Sequence, residues 1–91
     1  GQTWEDIIKN IIDTAPTVDK LMNVLWAIYF HTTLRGQTKQ TATLAKTVID
    51  PQNPQNFNPT IIQYLQNRGW YTRNVRSMLN SIRDIYQQLP P

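Results

Sequence analysis

Arg73, Arg76, Asn80, Arg83 and Gln87 recur at spacings of three and four, which puts them on one stripe of a helix running from about Thr72 to Gln88. Three guanidinium groups in a row present forked hydrogen-bond donors with permanent positive charge, the chemistry that recognises phosphate and carboxylate oxygens. The other side of the same segment is apolar, formed by Val75, Met78, Leu79, Ile82, Ile85, Tyr86 and Leu89. A helix divided in this way either packs one face and offers the other to something anionic, or packs one face and leaves the other in water.

The distribution of charge bears on that choice. The formal net charge is +3. Residues 1–30 hold Lys9 and Lys20 against Glu5, Asp6, Asp13 and Asp19, a balance of −2. Residues 31–91 hold Arg35, Lys39, Lys46, Arg68, Arg73, Arg76 and Arg83 against Asp50 and Asp84, a balance of +5. The basic character therefore lies in the second part of the chain and points to phosphate-bearing partners such as a membrane surface or a nucleic acid. Tyr71, between Arg68 and Arg73, suits stacking on a base or a position at a lipid headgroup.

Catalytic chemistry finds little to work with. Cysteine is absent, which removes disulfides, thiolate ligands and cysteine nucleophiles together. His31 is the only histidine, so neither a two-histidine metal site nor a histidine-centred triad can be assembled. Glu5 and Asp6 fall in the first turn of a helix, where they favour the helix dipole, and Asp50 and Asp84 lie on different elements. The expectation is a protein that is not an enzyme, with no metal, cofactor or small-molecule substrate.

The elements that must position the arginines read as helices throughout. Thr3 caps helix 1, with Asp6 three residues on, and Trp4, Ile7, Ile8, Ile11, Ile12 and Ala15 give one apolar face. Pro16 breaks the chain, and Thr17 caps a second helix whose main stripe is Val18, Leu21, Met22, Leu25, Ile28 and Tyr29. Val24, Trp26, Ala27 and Phe30 widen that stripe, and a helix apolar on most sides is expected at the centre of its domain. Trp26, Leu25, Ile28, Ile82 and Leu79 are expected among the most buried side chains. Gly36 stops helix 2. Helix 3 runs from about Thr38 to Ile49 with Ala42, Ala45, Val48 and Ile49 inward. Its four threonines give it poor intrinsic propensity.

Asp50-Pro51 ends helix 3, and the stretch through Phe57 is a loop rich in Pro, Asn and Gln, with Phe57 as its anchor into the core. Asn58-Pro59 supplies an N-cap and first helical residue. Helix 4 places Ile61, Ile62 and Leu65 inward and stops at Gly69. Trp4, Trp26 and Trp70 lie on or beside apolar faces and read as core. The fold class is thus all-α, a compact bundle of about five helices in one domain spanning 1–91. No apolar run reaches the length of a spanning helix, and no signal-peptide pattern is present, so the domain is expected to be soluble or peripheral to a membrane.

The stretch from Phe57-Asn58-Pro59 through Arg68-Gly69-Trp70-Tyr71 to Arg73-Asn74-Val75-Arg76, ending at Leu89-Pro90-Pro91, resembles the last two helices of retroviral Gag matrix domains, most closely the deltaretroviral kind. The order before it is also similar: Trp4 opens a short apolar helix, Ala15-Pro16 breaks it and a long apolar helix follows. Gly1-Gln2 is the start many Gag proteins have after methionine removal, with the glycine myristoylated. The resemblance implies a domain that brings a Gag polyprotein from the host cytoplasm to the inner face of the plasma membrane and supports virion assembly. Anionic membrane lipids are the implied partner, with RNA and self-association as further ones, and Gly1 is the implied lipidation site. The N-terminus has no dense basic cluster, so Arg68, Arg73, Arg76 and Arg83, with Arg35, Lys39 and Lys46, must supply the membrane-facing charge.

Two other readings stay open. Helix 4, the turn at Gly69 and helix 5 have helix-turn-helix proportions, with Arg73, Asn74, Arg76 and Ser77 on the first turns of a recognition helix. Alternatively the domain is a helical protein-interaction module whose arginines only solvate it.

Overall fold

The apolar periodicities resolve into five helices in the computed structural model of the chain, which describes residues 3–34, 36 and 38–88. They are α1 (Trp4–Thr14), α2 (Val18–Leu34), α3 (Thr38–Val48), α4 (Pro59–Asn67) and α5 (Arg73–Gln88). The described residues contain no strand, only an isolated antiparallel bridge between Ile49 and Phe57. Gly1, Arg35 and Leu89–Pro91 lie outside the described residues.

Side chains just ahead of the helices satisfy the backbone groups that the first turns leave over. The Thr3 hydroxyl accepts from the Asp6 N–H at 3.1 Å while the Asp6 carboxylate accepts from the Thr3 N–H at 3.4 Å, a full capping box. Thr17 accepts from the Lys20 N–H at 3.1 Å and Thr72 from the Val75 N–H at 3.2 Å. At the end of α4, the Trp70 N–H reaches the Leu65 carbonyl at 2.8 Å and the Gly69 N–H reaches Gln66 at 3.0 Å. That is a Schellman motif, and it places Gly69 at φ +69°, a conformation that a side chain would strain.

The buried side chains form one cluster drawn from all five helices. Its hub is α3, not α2 as the apolar content of α2 suggests: α3 packs against α1, α2 and α5, and its contact with α5 is the most extensive in the fold. Thr41, Leu44, Ala45 and Val48 are its buried residues, and their spacing of three, one and three keeps them on one inward face. Small side chains there let neighbouring helices approach closely. Thr41 and Leu44 escape the sequence pattern because a threonine does not register as core and Leu44 stands among polar neighbours. Thr43 and Thr47 turn their hydroxyls back onto the carbonyls of Lys39 and Thr43, each at 2.9 Å, so their polar groups are satisfied within the helix.

Helix α2 correspondingly lies at the side of the bundle. Leu21, Leu25 and Tyr29 are buried, whereas Val24 is 39 % and Phe30 52 % exposed. Leu79 and Ile82 are buried as expected, but Trp26 and Ile28 are only half-buried. Trp4 and Trp70 are likewise packed against the core without being enclosed by it.

The stretch after α3 lacks periodicity yet is folded. The Asp50 N–H donates to the Asn56 carbonyl at 2.9 Å, closing the loop, and the Asp50 carboxylate accepts from the Gln52 N–H at 2.9 Å inside it. Asn and Asp side chains that bond their own backbone produce such turns. Phe57 leaves the loop half-buried against the core.

Helices α1 and α4 lie side by side and parallel, tied at both ends. At the N-terminal end, the Asn58 amide, besides capping α4 through its oxygen at 2.9 Å, donates to the Glu5 carboxylate and to the Thr47 carbonyl, each at 3.0 Å. At the other end, the Arg68 guanidinium donates to the carbonyls of Ile12, Asp13 and Ala15. Parallel helices bring like ends of their dipoles together, and here acids stand at the paired N-termini and an arginine at the paired C-termini. Asn58→Ala is expected to lower stability by about 1–2 kcal/mol through loss of the cap and both amide bonds. Asn58→Asp should be about as damaging, because it keeps the cap but sets a carboxylate against Glu5; chemical denaturation of both variants checks the assignment.

Candidate functional site

The inner face of α5 is set by Val75, Met78, Leu79 and Ile82, all buried against the bundle. The same geometry turns Arg73, Arg76, Asn80 and Gln87 outward, all exposed. Phe57, Arg73, Arg76, Ser77 and Asn80 line an open concavity of about 400 Å³. Its rim carries two guanidinium groups, a hydroxyl and an amide, and its apolar part is the Phe57 ring.

The three arginines of the stripe differ in what else they touch. The Arg76 guanidinium lies 5.7 Å from the centre of the Tyr71 ring, an orienting cation–π contact. Arg83 is half-buried, sits 5.3 Å from the Phe57 ring centre and donates to the Gln55 carbonyl at 3.0 Å, so it clasps the loop onto α5. Its nearest acid is the exposed Asp84 at 3.9 Å. Among the described residues neither Arg73 nor Arg76 makes an ion pair. Their charge is left unneutralised by the described residues.

The other basic residues are elsewhere. Arg68 is committed to the ends of α1 and α4, with its guanidinium 3.9 Å from the centre of the Trp70 ring, and so does not extend the α5 stripe. Lys39 and Lys46 are exposed on α3, and their spacing of seven puts them on one face of that helix with Thr43. Thr43 and Lys46 border a second concavity, of about 520 Å³, beside Trp4 and Glu5 at the start of α1. The loop contributes Phe57 to the first concavity and Pro51 to the second. Of the basic residues expected to face a membrane, Arg73, Arg76 and Arg83 thus lie together on α5, Lys39 and Lys46 on α3, and Arg68 is a structural brace; Arg35 and Gly1 lie outside the described residues.

Sequence periodicity identifies the arginines but misses Phe57 as part of their surface, because a lone aromatic in a polar loop signals only an anchor. Tyr71 is placed differently from its sequence neighbours' suggestion: Arg76, one turn into α5, lies over it, while Arg68 turns to Trp70. His31 is exposed on α2. Among the described residues no three metal-ligating side chains cluster, and no helix is long and apolar enough to cross a membrane.

These features define an all-α domain of five helices bearing an arginine-lined concavity on its last helix. No family model, characterised protein or solved structure matches the chain.

Proposed function

We propose that the domain docks on anionic, phosphate-bearing membrane surfaces through the outer face of α5, as a matrix-like domain of a Gag polyprotein would at the inner leaflet. The observation that carries this reading is the pair Arg73 and Arg76, exposed on a rigid helix with no carboxylate partner among the described residues. Arg83 adds a third charge from the next turns, and Asn80 and Ser77 add neutral donors between them. A myristoyl chain on Gly1 would be a second anchor, since one acyl chain alone binds only marginally. Glu5 stands where the acylation pattern has Ser or Thr, and its carboxylate here braces α4 through Asn58.

The helix-turn-helix alternative draws less support from the packing. In such a motif the recognition helix is set by packing on its predecessor, whereas α4 packs chiefly on α1 and α5 on α3.

Each basic side chain near an anionic surface contributes about 1 kcal/mol before screening, so three supply roughly two orders of magnitude in affinity at low salt. The domain is expected to co-sediment with vesicles containing acidic lipid in preference to neutral ones, with the preference fading as salt rises. Replacing Arg73, Arg76 and Arg83 together by Gln should abolish it while far-ultraviolet circular dichroism stays unchanged. Sequence-selective binding to duplex DNA without lipid preference would reject the proposal in favour of the helix-turn-helix reading. Binding in neither assay would leave an interaction module.

A further inference from the structure

We infer that the Trp26 and Phe30 rings of α2 form an apolar wedge that enters the bilayer beside the arginine face of α5, an inference that rests on the membrane-docking reading of that face. Met22, Trp26 and Phe30 recur every four residues and so make one ridge along α2. Met22 and Trp26 are half-buried, and Phe30, at the end of the ridge, is exposed. Phe30 is stacked on Trp26, with 5.4 Å between centroids and 25° between planes. The outermost ring is thus held in place before it meets a partner, so less side-chain freedom is lost on binding.

The ridge adjoins the arginines. Met22 and Trp26 share a concavity of about 220 Å³ with Asn74, Ser77 and Ser81 of α5. Ser77 also lines the concavity that holds Arg73, Arg76 and Phe57. The apolar ridge and the guanidinium groups therefore meet at Ser77, and one surface carries both.

That pairing selects the occupant. A bilayer offers anionic headgroups and, about 5–10 Å deeper, an acyl boundary that the apolar side chains of a surface-bound helix enter. The arginines complement the first layer, and Trp26 with Phe30 suits the second. Positions 21–34 contain no Asp, Glu, Lys or Arg, so the ridge can enter without stripping water from a formal charge. A nucleic-acid strand would need a basic track past the aromatics, which this stretch lacks.

The chain has no cysteine, so single thiols can carry a nitrobenzoxadiazole label. Asn23→Cys places it at an exposed position seven residues before Phe30 on the same face of α2, and Asn10→Cys places it on the exposed side of α1 as a control. With vesicles of acidic and neutral lipid bearing nitroxide on the acyl chains, the label at 23 should be quenched and the label at 10 should not. Phe30→Ser should weaken vesicle binding about tenfold with circular dichroism unchanged, since roughly half of the side chain's surface is left to remove from water. Phe30→Trp should bind as the native chain does, and so should Val24→Ser, which removes the other exposed apolar side chain, on a different side of α2.

Binding to acidic vesicles that survives Phe30→Ser, with no quenching at 23, would overturn the wedge and leave docking by charge alone. Absence of any binding to acidic vesicles by the native chain would overturn the docking reading and the wedge together. Label emission that changes with protein concentration or with oligonucleotide, and not with vesicles, would assign the ridge to another copy or to a nucleic acid and overturn the proposal.

Discussion

Leu79→Ala is expected to lower the unfolding free energy by about 2–5 kcal/mol, the range for removing a fully buried leucine and leaving a cavity behind. Leu79 is 1 % exposed and lies on the face of α5 that meets α3, the fold's most extensive helix pair. Both helices hold other buried residues there, Val75, Met78 and Ile82 on one side and Leu44, Ala45 and Val48 on the other. Such a surround relaxes little around a void, which favours the upper half of the range. Arg76→Ala, one turn earlier on the outward face, should change stability by less than about 0.5 kcal/mol. Urea denaturation of the two variants compares the faces directly, and a larger loss for Arg76→Ala would refute the division between them.

Arg68→Ala is expected to cost about 1–3 kcal/mol, an effect out of line with an arginine on the surface. The side chain donates to three carbonyls that end α1, 53 to 56 residues away in sequence, and stacks on Trp70. Neither α1 nor α4 has a basic residue in its own last turn, so Arg68 is the cation at both C-terminal ends. Arg68→Lys should recover only part of the loss, since a single ammonium cannot span three acceptors with a planar fork. Thermal melts of the Ala and Lys variants beside Arg73→Ala test this; equal, negligible shifts for Arg68→Ala and Arg73→Ala would return Arg68 to the solvated class. Its removal should leave the charge-dependent lipid preference largely intact.

Much of the fold is legible in the sequence because its signals are local. Thr3, Thr17, Asn58-Pro59 and Gly69 mark helix ends by chemistry that acts within four residues, and the structure places the boundaries within a residue or two of where these put them. The two faces of α5 are legible for the same reason, since the separation of arginine from aliphatic residues is complete along it. The centre of the bundle was not, because apolar content measures how much a helix could bury and not what it meets. α2 has more apolar surface than its neighbours cover. α3 buries alanine and threonine, whose smallness suits a crowded hub but reads as weak pattern.

The candidate site divides along the same line. Arg73, Arg76 and Arg83 share a helix and so are found together by spacing. Arg68 is separated from them by a Schellman turn that redirects it, and Lys39 and Lys46 ride on another helix whose azimuth no local signal sets. Phe57 joins the arginines only because the closed loop from Asp50 to Asn56 delivers it there.

The double tie between α1 and α4 also couples two distant parts of the chain. α1 has 11 residues, short enough to be marginal as a helix by itself in water. The carbonyls at its end wait for a guanidinium more than fifty positions downstream, and the amide that grips its first turn belongs to Asn58. These two ties therefore close loops of more than fifty residues, and their bonds offset part of the entropy of that closure, alongside the packing of α1 on α2 and α3. With its two ends tied to α4 in this way, α1 should open and close together with α4 as one cooperative unit, a coupling that hydrogen exchange of the two helices would reveal.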